Sequence, residues 1–151
     1  MITKINFILP YAILAAARHR HRVVVNNGKA FSSTYNPQKK KAEWIDTQLL
    51  AKAYMQKNKF KPINKACRAF FEVGLSVPRS WSKKNKDLAY KAVIHPCDKR
   101  KKDFDNLAKF ICDCLNGICY EDDGLITDGR LIKKYAEHPY TSVLIEEIKS
   151  E

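Results

Sequence analysis

Asp103-Phe104-Asp105-Asn106-Leu107-Ala108-Lys109-Phe110-Ile111-Cys112-Asp113-Cys114-Leu115-Asn116-Gly117 is the stretch on which the fold turns. Leu107, Phe110, Ile111, Cys114 and Leu115 recur at spacings of three and four, the period of a helix that buries one stripe. Asp105 suits the N-cap, the helix runs through Asn116, and Gly117 suits the C′ position that closes it. A helix with one apolar stripe needs a covering layer, and the segments on both sides read as strands.

Upstream, Cys67 to Val77 is the strongest strand. Alternation puts Phe71, Val73, Leu75 and Val77 on one face, and Pro78 ends it. Ile5 to Leu9 reads as a first strand ended by Pro10, and Arg18 to Arg22 as a basic loop. Val23 to Val25 and Ala30 to Ser32 flank Asn26-Asn27-Gly28-Lys29, a hairpin in which Asn-Gly supplies the positive φ of a tight turn. Asn36-Pro37 opens a helix to about Lys57, with Ala42, Ile45, Leu49 and Ala53 as its apolar face. A basic loop follows to Lys65. Ser80 to Asn85 reads as a helical turn, and a short strand at Ala89 to Ile94 lies in the polar connection to Lys102. Leu125 to Tyr135 and Ser142 to Ile148 are the closing strands. The expectation is an α+β fold, one domain over residues 1–151, with a mixed sheet of about five strands covered by two main helices.

A chain of 151 residues, 45% hydrophobic and carrying 7 Phe, 7 Tyr and 2 Trp, is long and apolar enough to bury a core. Its formal charge of +12 points to a polyanionic partner. The distribution is more telling. Residues 1–102 carry 23 Lys and Arg against 5 Asp and Glu, whereas residues 103–151 carry 5 against 11. Seven of those eleven acids fall between Asp103 and Asp128. Carboxylates gathered beside dense positive charge suit a divalent metal held against a phosphodiester: the acids neutralise the metal, the bases the nucleic acid.

Five cysteines, Cys67, Cys97, Cys112, Cys114 and Cys119, include no C-x-x-C pair and no His at zinc-finger spacing, so they read as reduced thiols in a cytosolic protein. Ile5 to Ala17 resembles the apolar core of a signal peptide. Pro10 interrupts it, however, basic residues follow at once, and it is too short to span a bilayer. His19, His21, His95 and His138 are scattered among basic and turn residues and read as neither ligands nor catalysts.

In an extended segment Asp103 and Asp105 point to the same side, with Phe104 anchored in the core between them. The following helix returns the chain, so Glu121-Asp122-Asp123 can bring a further carboxylate to the same ion. Lys109, four residues after Asp105, lies off the apolar stripe and could offset charge on a pentavalent phosphorane. Blander accounts stand beside these: Asp105 as a cap, Asp122-Asp123-Gly124 as a turn, and Lys109 as a solvated residue paired with an Asp at i,i+4 spacing.

Lys101-Lys102-Asp103-Phe104-Asp105-Asn106-Leu107-Ala108-Lys109, then Asp113-x-Leu115-Asn116-Gly117, then Tyr120-Glu121-Asp122-Asp123-Gly124-Leu125-Ile126 together resemble the signature of the RusA family of Holliday-junction resolvases. The resemblance implies a homodimeric, Mg²⁺-dependent endonuclease, with Mn²⁺ as a substitute, that nicks four-way DNA symmetrically in recombination and repair. By position, Asp103, Asp105 and Asp123 match the family's essential acids and metal ligands, with Asp122 a weaker candidate, and Lys109 matches its important lysine. Lys102 departs from the family, where many relatives have Pro before the first Asp. The basic connection from Trp81 to Lys102 is a second point of variation.

Phosphate contacts are expected from Arg18, Arg20, Arg22, Lys39, Lys40, Lys41, Lys101 and Lys102. The setting expected is the cytoplasm of a bacterial or phage-infected cell, with no membrane contact. Two other readings share parts of this evidence: a nuclease for flaps, forks or other branched DNA, and a non-catalytic basic DNA-binding protein whose acids only make turns and caps.

Overall fold

The structure, a computed structural model, describes residues 2–13, 20–35, 42–97 and 103–149. In chain order these form β1 (Lys4–Leu9), β2 (Arg20–Asn26), β3 (Lys29–Tyr35), α1 (Ala42–Lys57), β4 (Cys67–Leu75), α2 (Lys83–Tyr90), α3 (Phe104–Leu115), a 3₁₀ turn (Asp123–Leu125), β5 (Ile126–Tyr135) and β6 (Tyr140–Glu147). The α+β class stands, but the expected sheet of about five strands is one of four, ordered β1-β6-β4-β5, with β2 and β3 forming a separate two-stranded sheet. The sheet is mixed. β4 pairs in parallel with β5 and antiparallel with β6, and β6 pairs antiparallel with β1.

Alternation sets the core. Cys67, Ala69, Phe71, Val73 and Leu75 on β4, Val143 and Ile145 on β6, and Ile5 and Leu9 on β1 are buried beneath α1 and α3. Trp44 of α1 meets Phe110 of α3 edge to face, with ring centroids 5.3 Å apart, and this contact joins the two covering helices. Thr141 is buried too. Its Oγ1 donates to the Tyr11 carbonyl at 2.8 Å and accepts from the Ile13 N–H at 3.0 Å, which ties the segment after Pro10 back onto β6.

Several local expectations need correction. β2 begins at Arg20, so Arg20 and Arg22 belong to a strand and not to a loop. Asn27 and Gly28 adopt positive φ (49° and 73°) between the paired Asn26 and Lys29, as the tight turn requires. The described part of the first helix ends at Lys57 as expected, and its proposed start at Asn36-Pro37 lies outside the described residues. Its buried face is different: Trp44, Thr47, Ala51 and Met55 point inward, while Ile45 is 47% and Leu49 59% exposed. Apolar residues occupy both sides of this helix, so spacing alone did not single out the face that packs. The strand expected at Ala89 to Ile94 is not formed. Ser82 caps α2 by accepting from the Asn85 N–H at 3.2 Å, and the helix runs on through Ala89 and Tyr90.

The helix α3 buries the stripe expected of it: Leu107, Phe110, Ile111, Cys114 and Leu115. All five cysteines are free. Burial pushes the Cys114 and Cys119 thiols up to about 12, so they are inert packing groups. No helix among the described residues is long and apolar enough to cross a membrane.

Candidate active site

The acids that the sequence singles out are arranged around α3. Asp103 is its N-cap, one residue before the first helical position, and the Asp103 carbonyl accepts from the Leu107 N–H at 3.0 Å. The cap therefore belongs to Asp103 and not to Asp105, which sits in the first turn, where the helix dipole favours a carboxylate. The Asp103 side chain makes no capping bond to the backbone. Its Oδ2 accepts from Asn106 Nδ2 at 3.4 Å.

This placement overturns the extended reading of the motif. Phe104 is not a core anchor: it is 54% exposed. Phe104 and Asp105 are helical, so the alternation that would have aimed the two aspartates together does not apply. Lys109 follows one turn after Asp105 on the exposed side, and its ion pair is with Asp113, Nζ to Oδ2 3.6 Å. The motif gives Asp113 no role of its own, and its i,i+4 spacing from Lys109 is the sequence signal of this pair.

The chain leaves α3 through Asn116 and Gly117, whose φ of +75° closes the helix as expected. The loop beyond is held on three sides. Gly117 N–H donates to the Tyr120 carbonyl at 2.8 Å, and the Ile63 N–H donates to the Cys119 carbonyl at 2.9 Å. The Glu121 N–H in turn donates to the Ile63 carbonyl at 2.9 Å. Tyr120 is fully buried, and its hydroxyl donates to the Cys112 carbonyl at 2.8 Å, stitching the loop to the helix; burial raises its pKa strongly.

That anchorage delivers the acidic pair. Asp122 caps the 3₁₀ turn, its Oδ1 accepting from the Gly124 N–H at 2.8 Å, so Asp122 is engaged as the turn reading foresaw. Asp123, half-buried, opens the turn. Its charge is felt at Cys112, whose thiol is pushed up to about 11, first by burial and then by the Asp123 and Asp113 carboxylates. Asp123 is thus near enough to the later half of α3 for its charge to be felt there. Among the described residues no three His, Cys, Asp or Glu side chains are close enough together to hold a metal ion. Asp103, Asp105 and Asp113 are spread along α3, while Asp122 and Asp123 sit in the 3₁₀ turn beyond it.

Beside the end of α3 a recess of about 580 Å³ is lined by Trp44, Gln48, Asp113, Asn116, Gly117 and Glu121. Gln48 Nε2 spans its base to the Cys114 carbonyl at 3.2 Å, linking α1 to α3. Of the expected phosphate contacts, Arg22 is exposed on β2, and Arg20 is described in its backbone only. Arg18, Lys39, Lys40, Lys41, Lys101 and Lys102 lie outside the described residues.

Comparison with known proteins adds two findings. The family model described as "Endodeoxyribonuclease RusA" matches residues 10–146, nearly the whole chain. A protein of Bacillus subtilis (strain 168), "Uncharacterized protein YqaN", is 38% identical over 69 residues, 46% of this chain and 47% of that protein. The matched region thus spans about half the length of this curated relative.

Proposed function

Because the chain belongs to the endodeoxyribonuclease RusA family, we propose that it is a structure-selective nuclease that resolves four-way DNA junctions by paired, symmetric nicks. The observation that carries this reading is the family match over residues 10–146, which includes Asp103, Asp105, Asp122 and Asp123. The overall reaction adds water across one phosphodiester of each of two strands and leaves ends that can be religated. Two cuts related by the two-fold symmetry of a junction call for a two-fold dimer. The setting would be the cytoplasm of a bacterial or phage-infected cell.

The donor set is all carboxylate oxygen and solvent-accessible, which suits Mg²⁺, with Mn²⁺ as a substitute. Asp103, Asp105 and Asp123 would hold it. Asp122 is the weaker candidate because the Gly124 N–H already occupies one of its oxygens. When bound, the ion supplies charge stabilisation at the phosphoryl oxygens and an acidified water. Mg²⁺ commonly relies on one or two carboxylates, with substrate phosphate and water filling its other positions. Carboxylates spread along α3 and the turn beyond it are compatible with a site completed by the bound DNA. Lys109 would offset the charge that develops on the phosphorane. The basic residues from Arg18 to Arg22 and from Lys39 to Lys41, with Lys101 and Lys102, would grip phosphates on either side.

The test is cleavage of a synthetic mobile four-way junction beside linear duplex, each with and without Mg²⁺. Paired nicks in the junction alone, only with the metal, are expected. Cleavage of flaps and forks at the same rate would move the protein to a broader branched-DNA class. Metal-indifferent binding without cleavage would remove it from the enzymes.

A further inference from the structure

Lys57-Asn58-Lys59-Phe60-Lys61-Pro62-Ile63-Asn64-Lys65 joins α1 to β4, and the chain has no Asp or Glu anywhere between Asp46 and Glu72. Lys57, Lys59, Lys61 and Lys65 are all exposed. Lys65 is engaged, its Nζ 3.3 Å from Glu147 Oε1. Among the described residues no carboxylate pairs with Lys57, Lys59 or Lys61. These are cations without a partner inside the protein.

The connection is firmly held. Helix α1 closes with the Lys59 N–H on the Gln56 carbonyl at 3.1 Å and the Phe60 N–H on the Met55 carbonyl at 2.9 Å. That paired ending puts a residue of positive φ just past the helix, a position usually given to glycine. Here it is Lys59, at φ +55°. Phe60 packs its ring 6.2 Å from that of Tyr54, and Ile63 is buried. Left-handed backbone costs a lysine energy that it does not cost glycine. An outlier of this kind points to a use for the side chain. The bland account is that a cation suits the end of a helix dipole, but Lys57 already fills that place in the last turn.

The same connection runs along the acidic loop. Ile63 is tied to Cys119 and Glu121 by the two backbone bonds described above, and it forms a parallel bridge with Tyr120. Further on, Cys67 Sγ donates to the Leu125 carbonyl at 3.6 Å, and Cys67 pairs in parallel with Ile126. Asp122 and Asp123 are bracketed between these two ties, alongside the segment from Asn64 to Ala66. Lys61 stands just before the first tie and shares with Glu121 a recess of about 360 Å³. The unpaired lysines therefore lead up to the acid pair along a fixed path.

We propose that Lys57, Lys59 and Lys61 form a phosphate track that takes the DNA backbone running up to Asp122 and Asp123. Lysine is a compact point charge that suits phosphates without reading bases. A track already fixed by the helix ending and by Ile63 loses little freedom on binding. These are positioning residues, away from the reacting atoms. The choice of DNA as ligand rests on the nuclease reading above; the choice of this connection rests on its ties to the acidic loop.

Binding measured across a salt series in EDTA, where no cleavage confuses the readout, tests the track. Lys57→Gln/Lys59→Gln/Lys61→Gln is expected to lower the slope of log K against log salt by up to about 3, close to one counterion per phosphate contact. Lys59→Gly alone should lower it by about 1 while its denaturant midpoint stays at or above wild type. A lysine that only serves the helix end would do the reverse, lowering the midpoint and leaving the slope. Unchanged slopes in both variants, beside Mg²⁺-dependent junction cleavage by wild type, overturn the track and leave the nuclease reading standing. Lowered slopes in a protein that cuts no DNA support the track and overturn the nuclease. A wild type that binds no DNA overturns both.

Discussion

Lys109 Nζ lies 3.6 Å from Asp113 Oδ2, so the ammonium is held by an acid one turn further along α3, away from the two aspartates at the helix start. An exposed pair with this geometry adds at most about 1 kcal/mol to stability. Its consequence is positional: the pair keeps the ammonium over the stretch of helix between Asp105 and the loop that carries Asp123. Lys109→Ala is therefore expected to slow single-turnover cleavage by roughly 10²–10³-fold, the loss typical of one electrostatic stabiliser, with little change in thermal midpoint. A cleavage rate equal to wild type would return Lys109 to the solvated surface.

The acids separate by role. Asp103→Asn and Asp123→Asn are each expected to abolish cleavage while junction binding stays the same or tightens, because negative charge near a phosphate is lost with little change of shape. Asp122→Ala should behave differently, since it removes the acceptor for the Gly124 N–H. A cap of this kind contributes about 1 kcal/mol, so this variant should lose stability first. Gel assays of cleavage and binding, paired with denaturant midpoints, separate the two behaviours. Near-wild-type cleavage by either Asn variant at saturating Mg²⁺ would remove that residue from the metal site.

Binding should weaken steeply with salt. Neutralising Arg18, Arg20 and Arg22 together is expected to lower the slope of log K against log salt by up to about 3, close to one counterion per phosphate contact. Preference for a junction over linear duplex should persist in the triple variant, because it would come from the geometry of two subunits and not from total charge. Competition between the two DNAs across a salt series reads both quantities. An unchanged slope would show that this segment does not touch DNA.

A polar cluster on the sheet, Glu72 with Lys134 and Tyr140, gives a pH signature. The Lys134 ammonium, 2.6 Å from Glu72 Oε1, and then the Tyr140 hydroxyl hold the Glu72 carboxyl below its usual range. With the folded value depressed, this stabilisation is complete above the unfolded carboxylate value of about 4.3 and is lost as pH falls through the folded value. Lys134 is shifted the other way, its ammonium held up chiefly by Glu72; its share is complete below the ordinary lysine value and lost as pH rises through the folded one. Glu72→Gln should flatten the acid limb of the thermal midpoint measured against pH. An acid limb identical to wild type would show that the cluster contributes nothing.

The same cluster depends on the absence of a side chain at Gly74. A Cβ there would run into the Tyr140 ring and the Ala136 methyl. Gly74→Ala is expected to destabilise the fold by about 1–3 kcal/mol, as overpacking does. Chemical denaturation should show the loss, together with a weakened Glu72 pH signature.

What could be read in advance followed from patterns with a single solution. The stripe on α3 is unambiguous because its other face is polar, and Asn27-Gly28 permits little except a tight turn. α1 was legible as a helix but not in its orientation, because Ile45 and Leu49 compete with Trp44 and Met55 for the core. Ala89 to Ile94 has strand-like composition, yet the Ser82 cap starts a helix upstream that runs into it. The acids around α3 could be named from their motif, but their mutual placement could not. It depends on where the helix begins and on Tyr120, which fixes the return loop through bonds distant in sequence. The insertion of β6 between β1 and β4 is likewise a property of the whole sheet.

That insertion bears on how the protein is made. β1 emerges from the ribosome first, yet its ladder partner is β6, and Lys4 must wait for Glu146. β4 likewise lacks its antiparallel neighbour until then. A nascent chain that already carries every acid along α3 still has a sheet missing a central strand, so its helices have no finished floor to rest on. Such long-range closure slows folding. It also leaves a partly synthesised copy with an unfinished sheet until β6, the strand that bridges β1 and β4, is in place.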